Sequence, residues 1–256
     1  MRTGPLPIVA GILLLATMVV HAQKSDTLGP LALARHRVES ADYRLTGRLV
    51  RVDGNGKRTS YAVAVKAHWF PGELRMLVEV GSPAEARVHV LLEMKPGEKT
   101  TILVAHPRET GGTALPFEKW NEGPLGEGFS YEDFLEAAYF WVGQAAMGEA
   151  RYGARSCDLV KSTPGPADET HYAEVKSWLD HSSGFPVHVE KTLKGVGNVK
   201  EFNYFGLRQT EGVWSASQVE AKVRGKAGSM LLIIDHGSPK AHLDLKDFSS
   251  AQFTHF

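Results

Sequence analysis

The chain has 256 residues, with 29 Lys or Arg against 29 Asp or Glu, so its formal net charge is zero. That removes the basic surplus with which a generic nucleic-acid binder displaces counterions. A hydrophobic share of 43% with 23% charged residues excludes wholesale disorder, and a single cysteine, Cys157, excludes an internal disulfide and a multi-cysteine zinc site.

Met1 and Arg2 precede an uncharged apolar run, Ile8 to Val20, that ends in Val20-His21-Ala22. A positive start, a short apolar stretch and a small-residue cleavage site predict a secretory signal peptide over residues 1–22. The run falls short of the ~20 apolar residues that a membrane span needs. Residues 23–256 are then one exported domain, held together by its core alone.

Leu31–Val38 is a candidate helix. From residue 42 the hydrophobic period is two. Tyr43, Leu45 and Leu49 share one face; Tyr61, Val63, Val65, Ala67 and Trp69 share the next, after the Asp53-Gly54-Asn55-Gly56 hairpin signal. Leu74, Met76, Val78 and Val80, and then Val88, Val90, Leu92 and Met94, continue the series, and Lys99–His106 closes it. This is an antiparallel meander with one apolar face to be covered and an outer side expected to be solvated.

Pro107–Gly128 reads as a long loop carrying Phe117 and Trp120. Ser130, with Asp133 three residues on, predicts a capped helix whose Tyr131, Phe134, Leu135, Ala138 and Tyr139 fall at helical spacing. Period two returns in Tyr152–Ser162, Tyr172–Asp180, Pro186–Lys194, Val199–Leu207, Val213–Arg224, Ser229–Asp235 and Ala241–Leu245, all separated by turn signals. About a dozen strands at this spacing predict a barrel or sandwich, with the two helices covering the apolar face.

The chemical motifs point away from catalysis and cofactors. No H-x-H or H-E-x-x-H pair exists, so no metal is called for, and His68, His89 and His188 read as solvated strand histidines. No G-x-S-x-G elbow is present, and Cys157 reads as a half-buried structural thiol. Gly195-Val196-Gly197 and Gly225–Ser229 read as turns rather than phosphate loops. Asp180-His181 and Asp235-His236 resemble acid–base dyads, yet both sit at strand ends where such residues close turns. Trp69, Trp141, Trp178 and Trp214 either fill a core or line an apolar cavity.

The stretch Gly126-Glu127-Gly128-Phe129-Ser130-Tyr131-Glu132-Asp133-Phe134 resembles the D-F-S-Y-E-D-L signature of the outer-membrane lipoprotein-sorting family, relatives of the LolA/LolB lipoprotein carriers. Tyr172–Asp180, with Trp178 and Asp180, resembles that family's Y-x-x-x-x-x-W-I-D strand; Pro186–Lys191 with Lys200, Gly228–Ile234 and Asp247-Phe248 resemble its later elements. The resemblance runs over roughly residues 120–256. It departs at Gly128, where the family often has Asp, and at Phe134, where it has Leu.

The resemblance implies a curved, incompletely closed antiparallel β-barrel with short helices as a lid. It further implies a periplasmic carrier that shelters acyl chains of lipoproteins or other lipids, with an inner-membrane release complex and an outer-membrane acceptor as partners. On this reading Tyr61, Val63, Val65, Trp69, Met76, Val78, Val90 and Leu92 line the sheet side of the cavity, and Tyr131 and Phe134 the lid side. Two other readings stand beside it: a non-enzymatic envelope binding or stress-sensing module with a filled core, and an enzyme built on the two Asp-His pairs.

Overall fold

The computed structural model describes residues 29–83, 87–109, 111–125 and 128–255. The expected signal peptide, and Gly126 and Glu127 of the quoted signature, lie outside them.

Helix α1 (Gly29–Glu39) begins with Pro30 in its first turn, where a missing N–H costs nothing, and ends with His36 and Arg37 against the negative end of its dipole. Its buried residues Leu31, Ala34 and Val38 form one stripe. A meander follows: β1 (Asp42–Val52), β2 (Arg58–Phe70), β3 (Glu73–Ser82), β4 (Val88–Met94), β5 (Thr101–Ala105) and the short β6 (Thr113–Ala114). The second half holds β7 (Gly143–Tyr152), β8 (Arg155–Thr163), β9 (Tyr172–Asp180), β10 (Pro186–Leu193), β11 (Val199–Phe205), β12 (Arg208–Thr210), β13 (Val213–Ser215), β14 (Gln218–Val223) and β15 (Ser229–Ser238).

Thirteen of these strands form one sheet in the order β6-β5-β4-β3-β2-β1-β15-β14-β11-β10-β9-β8-β7, while β12 and β13 pair only with each other. β15 returns to lie antiparallel to β1, and this seam joins the two meanders. The sheet stays open, with β6 and β7 at its edges. It bends at bulges between Thr46 and Gly47 and between Ala62 and Val63. Gly47 is required there, because a Cβ would sit 2.0 Å from the Ile233 carbonyl oxygen. The two halves curl toward each other far enough for Lys99, beyond β4, to pair with Glu169, before β9, at 3.2 Å.

The main core lies on the concave face, as the alternation predicts, and α1 and residues 117–141 pack into it. The connection from β6 to β7 has to travel from one edge of the sheet to the other, which draws it across the concave face. The loop expected over 107–128 is therefore part of the lid, and Trp120 is buried in it.

Several expectations need correction. The helix predicted after Ser130 is two separate 3-10 turns, Tyr131–Phe134 and Ala137–Phe140, because Leu135 is extended (φ −95°, ψ 140°) and breaks the ladder. The strand expected over Tyr152–Ser162 is the end of one hairpin arm and most of the next, turning at Gly153 with φ 57°. Val213–Arg224 is broken into β13 and β14, with Ala216 buried between them.

Ala241–Leu245 is not a strand. It leads into a 3-10 turn (Leu245–Phe248) and α2 (Ser250–Phe253). This tail places Leu243, Phe248 and Phe253 on Leu77, Leu91 and Ala105, so the outer face of β3–β5 is a second core rather than a solvated surface. His89 and His188 are buried as well. The ring of His89 bonds the Phe253 carbonyl at 2.8 Å, and His188 lies under Tyr152, stacked at 4.6 Å.

Candidate functional site

The concave face is not filled everywhere. A cavity of about 260 Å³ lies between the β15–β1 seam and the lid. Tyr43 and Leu45 of β1, Leu232 and Ile234 of β15, and Val219 of β14 project into it by strand alternation, with Val65, Leu74 and Met76 beside them. Val38 of α1, Phe129 and Phe134 of the lid, and Phe185 and Tyr204 close the space, and the β12–β13 hairpin covers one side with Val213 and Trp214. Tyr43, Leu45, Phe134, Tyr204, Trp214 and Leu232 are only partly buried although they pack on the core, as expected of side chains that face a void.

Two polar constructions hold the lid around this space. The first joins α1 to the segment 136–139. Arg37 forks onto Glu136 with bonds of 2.8 and 2.7 Å, and its guanidinium lies 4.9 Å over the Phe185 ring. Arg35 Nε donates to the Tyr139 carbonyl at 2.6 Å. Burial works against the Arg37 charge, but Glu136 more than offsets it and the net shift is upward. The hydroxyls of Tyr43, Tyr139 and Tyr204 are pushed up by burial and then by the Glu136 charge, so they stay protonated.

The second construction is the signature itself. Asp133 is fully buried and takes five bonds. Oδ2 accepts from the Ser130 N–H (2.9 Å), Ser130 Oγ (2.6 Å) and Lys200 Nζ (3.1 Å), and Oδ1 accepts from the Tyr172 hydroxyl (2.6 Å) and Lys191 Nζ (2.9 Å). Burial opposes the charge, but the two ammoniums override it and hold the carboxyl well below its usual range. Lys191 and Lys200 face each other across the β10–β11 register and lie over the Tyr172 ring at 5.2 and 5.6 Å. Glu132 accepts from Thr170 Oγ1 (3.0 Å) and the His171 N–H (3.2 Å). The Phe129–Asp133 run is thus an anchor pinning the lid to the sheet, and Phe129, Asp133 and Phe134 border the cavity.

Of the ten residues expected to line the site, Val65, Met76 and Phe134 border the cavity. Tyr61, Val63, Val78, Val90, Leu92 and Tyr131 are packed into the main core instead, and Trp69 stacks on Phe140 at 5.7 Å. Trp178 is on the outer face against His188, 4.8 Å between ring centroids. Asp180 closes a turn, taking Ser182 and Ser183 on one oxygen and Arg155 on the other at 2.8 Å; burial opposes its charge, but these bonds lower it to about 2. Sequence reasoning missed Arg37, Phe185 and the seam residues as cavity wall, and it named Lys191 and Lys200 in a hairpin without their inward pairing to Asp133. The seam residues depend on β15 returning to β1 and the lysines on the pairing of β10 with β11, and no local signal announces either.

The Asp-His pairs do not converge. His181 bonds Asp158 at 2.6 Å, and Asp235 is held by Arg48 at 2.9 Å. Their strands, β9 and β15, are four places apart in the sheet, on the order of 19 Å. Among the described residues, no group of three or more His, Cys, Asp or Glu could hold a metal ion.

A family model described as "uncharacterized protein" matches residues 73–255. No curated protein matches the chain. Among solved structures, a domain described as an outer membrane lipoprotein-sorting protein from Vibrio parahaemolyticus superposes with a TM-score of 0.78 at 14% identity, covering 88% of this chain and 98% of its own. A DUF1329 family protein from Desulfovibrio piger gives 0.77 at 15% identity, with 88% and 97% covered. A LolA superfamily protein from Nitrosomonas europaea gives 0.63 at 15% identity, with 85% and 98% covered. At these identities the likeness establishes the fold, the curved open sheet of the LolA type.

Proposed function

The chain belongs to the family whose model spans residues 73–255, and from its LolA-type fold we propose that it is a carrier that shelters acyl chains of lipoproteins or other lipids in the cavity under the lid. The observation that carries this reading is the partly buried apolar wall around an unfilled space in an otherwise packed core. Each methylene taken out of water contributes about 0.8 kcal/mol, so an acyl chain needs such a sheath to cross an aqueous compartment. The compartment we assign is the periplasm, reached through the signal peptide at 1–22. The partners we assign are an inner-membrane release complex and an outer-membrane acceptor.

Binding on this account is non-covalent. The chain enters between lid and sheet, and it leaves when α1 and the 136–139 segment part. The test fills the cavity without touching the anchor: Leu45→Trp puts an indole into the space. We expect this variant to melt like the parent and to lose binding of a fluorescent acyl probe. Equal probe affinity in a folded Leu45→Trp protein would remove the cavity from the account.

A further inference from the structure

Resting on the carrier reading, we propose that the cargo is a single-chain amphiphile with an anionic head, its chain in the cavity and its head on Arg208. The charges around the cavity select this ligand. Among the described residues six charged side chains border the space, and five are already engaged. Arg37 and Glu136 hold each other, Arg44 holds Asp247, Asp133 holds two lysines, and Asp42 accepts from the His242 and Leu243 N–H groups at 3.0 Å each. Arg208 is the sixth. It is exposed on the β12–β13 hairpin, and among the described residues no acidic side chain pairs with it. The same hairpin supplies Trp214 to the apolar wall, so the free cation and the greasy surface travel on one element. Of the rim carboxylates, Glu136 and Asp133 each face their own cations, while Asp42 is held by the His242 and Leu243 N–H groups and the His68 ring. A guanidinium fork of this kind suits a carboxylate or a phosphate.

With the lid as it stands the volume suits one chain. At roughly 30 Å³ for each water-sized group, 260 Å³ takes about nine groups in line, which is one chain of medium length. Two or three chains side by side require the lid to move.

Titration calorimetry on the full mature protein with decanoate, decyl phosphate, decanol and a diacyl phosphatidic acid separates these statements. Both anions should bind about tenfold or more tighter than decanol, the size of a charge-assisted hydrogen bond. In Arg208→Gln the anions should fall to the affinity of the alcohol, while Arg208→Lys keeps part of the preference. Among the described residues Arg208 has no ion-pair partner, so its loss should leave folding intact. The stronger of the two anions identifies the head as carboxylate or phosphate. Equal binding of decanol and the anions, or a preference that survives Arg208→Gln, overturns the head-group assignment and leaves the carrier standing. Phosphatidic acid binding as tightly as decyl phosphate overturns the single-chain assignment. If none of the four binds, the carrier reading itself fails.

Discussion

Asp133 anchors the lid through five hydrogen bonds. A carboxylate with no exposed surface is costly to bury, and here two ammoniums, a phenol and a capping serine offset that cost. Removing the charge alone leaves two buried lysines facing a neutral group. Asp133→Asn should therefore lower the unfolding free energy by about 3–5 kcal/mol in urea titrations. Replacing the whole set, Asp133→Leu with Lys191→Met and Lys200→Met, should restore most of it.

The pH dependence follows from the direction of the shift. The folded carboxyl titrates below the unfolded one, so its contribution is complete above about pH 4 and fades as the pH falls toward the folded value. Wild-type stability should drop over that acid range, and Asp133→Asn should lack this part of the slope. The sequence displayed the Ser130–Asp133 capping relation openly. It did not display the lysines, because charged residues on strands ordinarily point to solvent, and only the paired register of β10 and β11 turns these two inward.

At the level of elements, the lid is a helix and two short turns held by few groups. On the proposed account its opening is governed by the fork between Arg37 and Glu136, which sits on the rim of the cavity. Arg37→Met keeps an unbranched apolar stem and removes both the fork and the guanidinium over Phe185. Release of a bound acyl probe, followed by stopped-flow displacement, should become about tenfold faster, equivalent to ~1.4 kcal/mol. Release at the parent rate would show that the lid opens elsewhere.

Strands were the most legible elements, because period two survives in any half-buried sheet. The region from Ser130 to Tyr139 was the least legible. Its apolar spacing fits a continuous helix, but tertiary bonds to Glu132 and Asp133 hold the first turn against β9–β11, and the extended Leu135 separates it from the second. Gly184 is a related case of a constraint visible only in three dimensions. Its φ of +63° and the 2.4 Å that a Cβ would leave to Leu33 Cβ let α1 dock against the turn.

For the molecule as a whole, the organising fact is that β6 and β7 end up at opposite edges of one open sheet. Their connection must cross the concave side, and that crossing is why a lid exists over a space the strands alone would leave open. The C-terminal tail performs the opposite task, sealing the outer face of β3–β5 with Leu243, Phe248 and Phe253. Fold class could be read from alternation and turn spacing. The seam and the tail could not, since each joins residues well over a hundred positions apart.

The carrier account stands or falls on whether the cavity holds lipid in the protein as cells make it. The direct measurement is a native mass spectrum of the mature protein purified from a periplasm without detergent. The account predicts an added mass of lipid size that organic extraction removes. A bare polypeptide mass, unchanged after incubation with decanoate, decyl phosphate and an acylated lipoprotein, would contradict it.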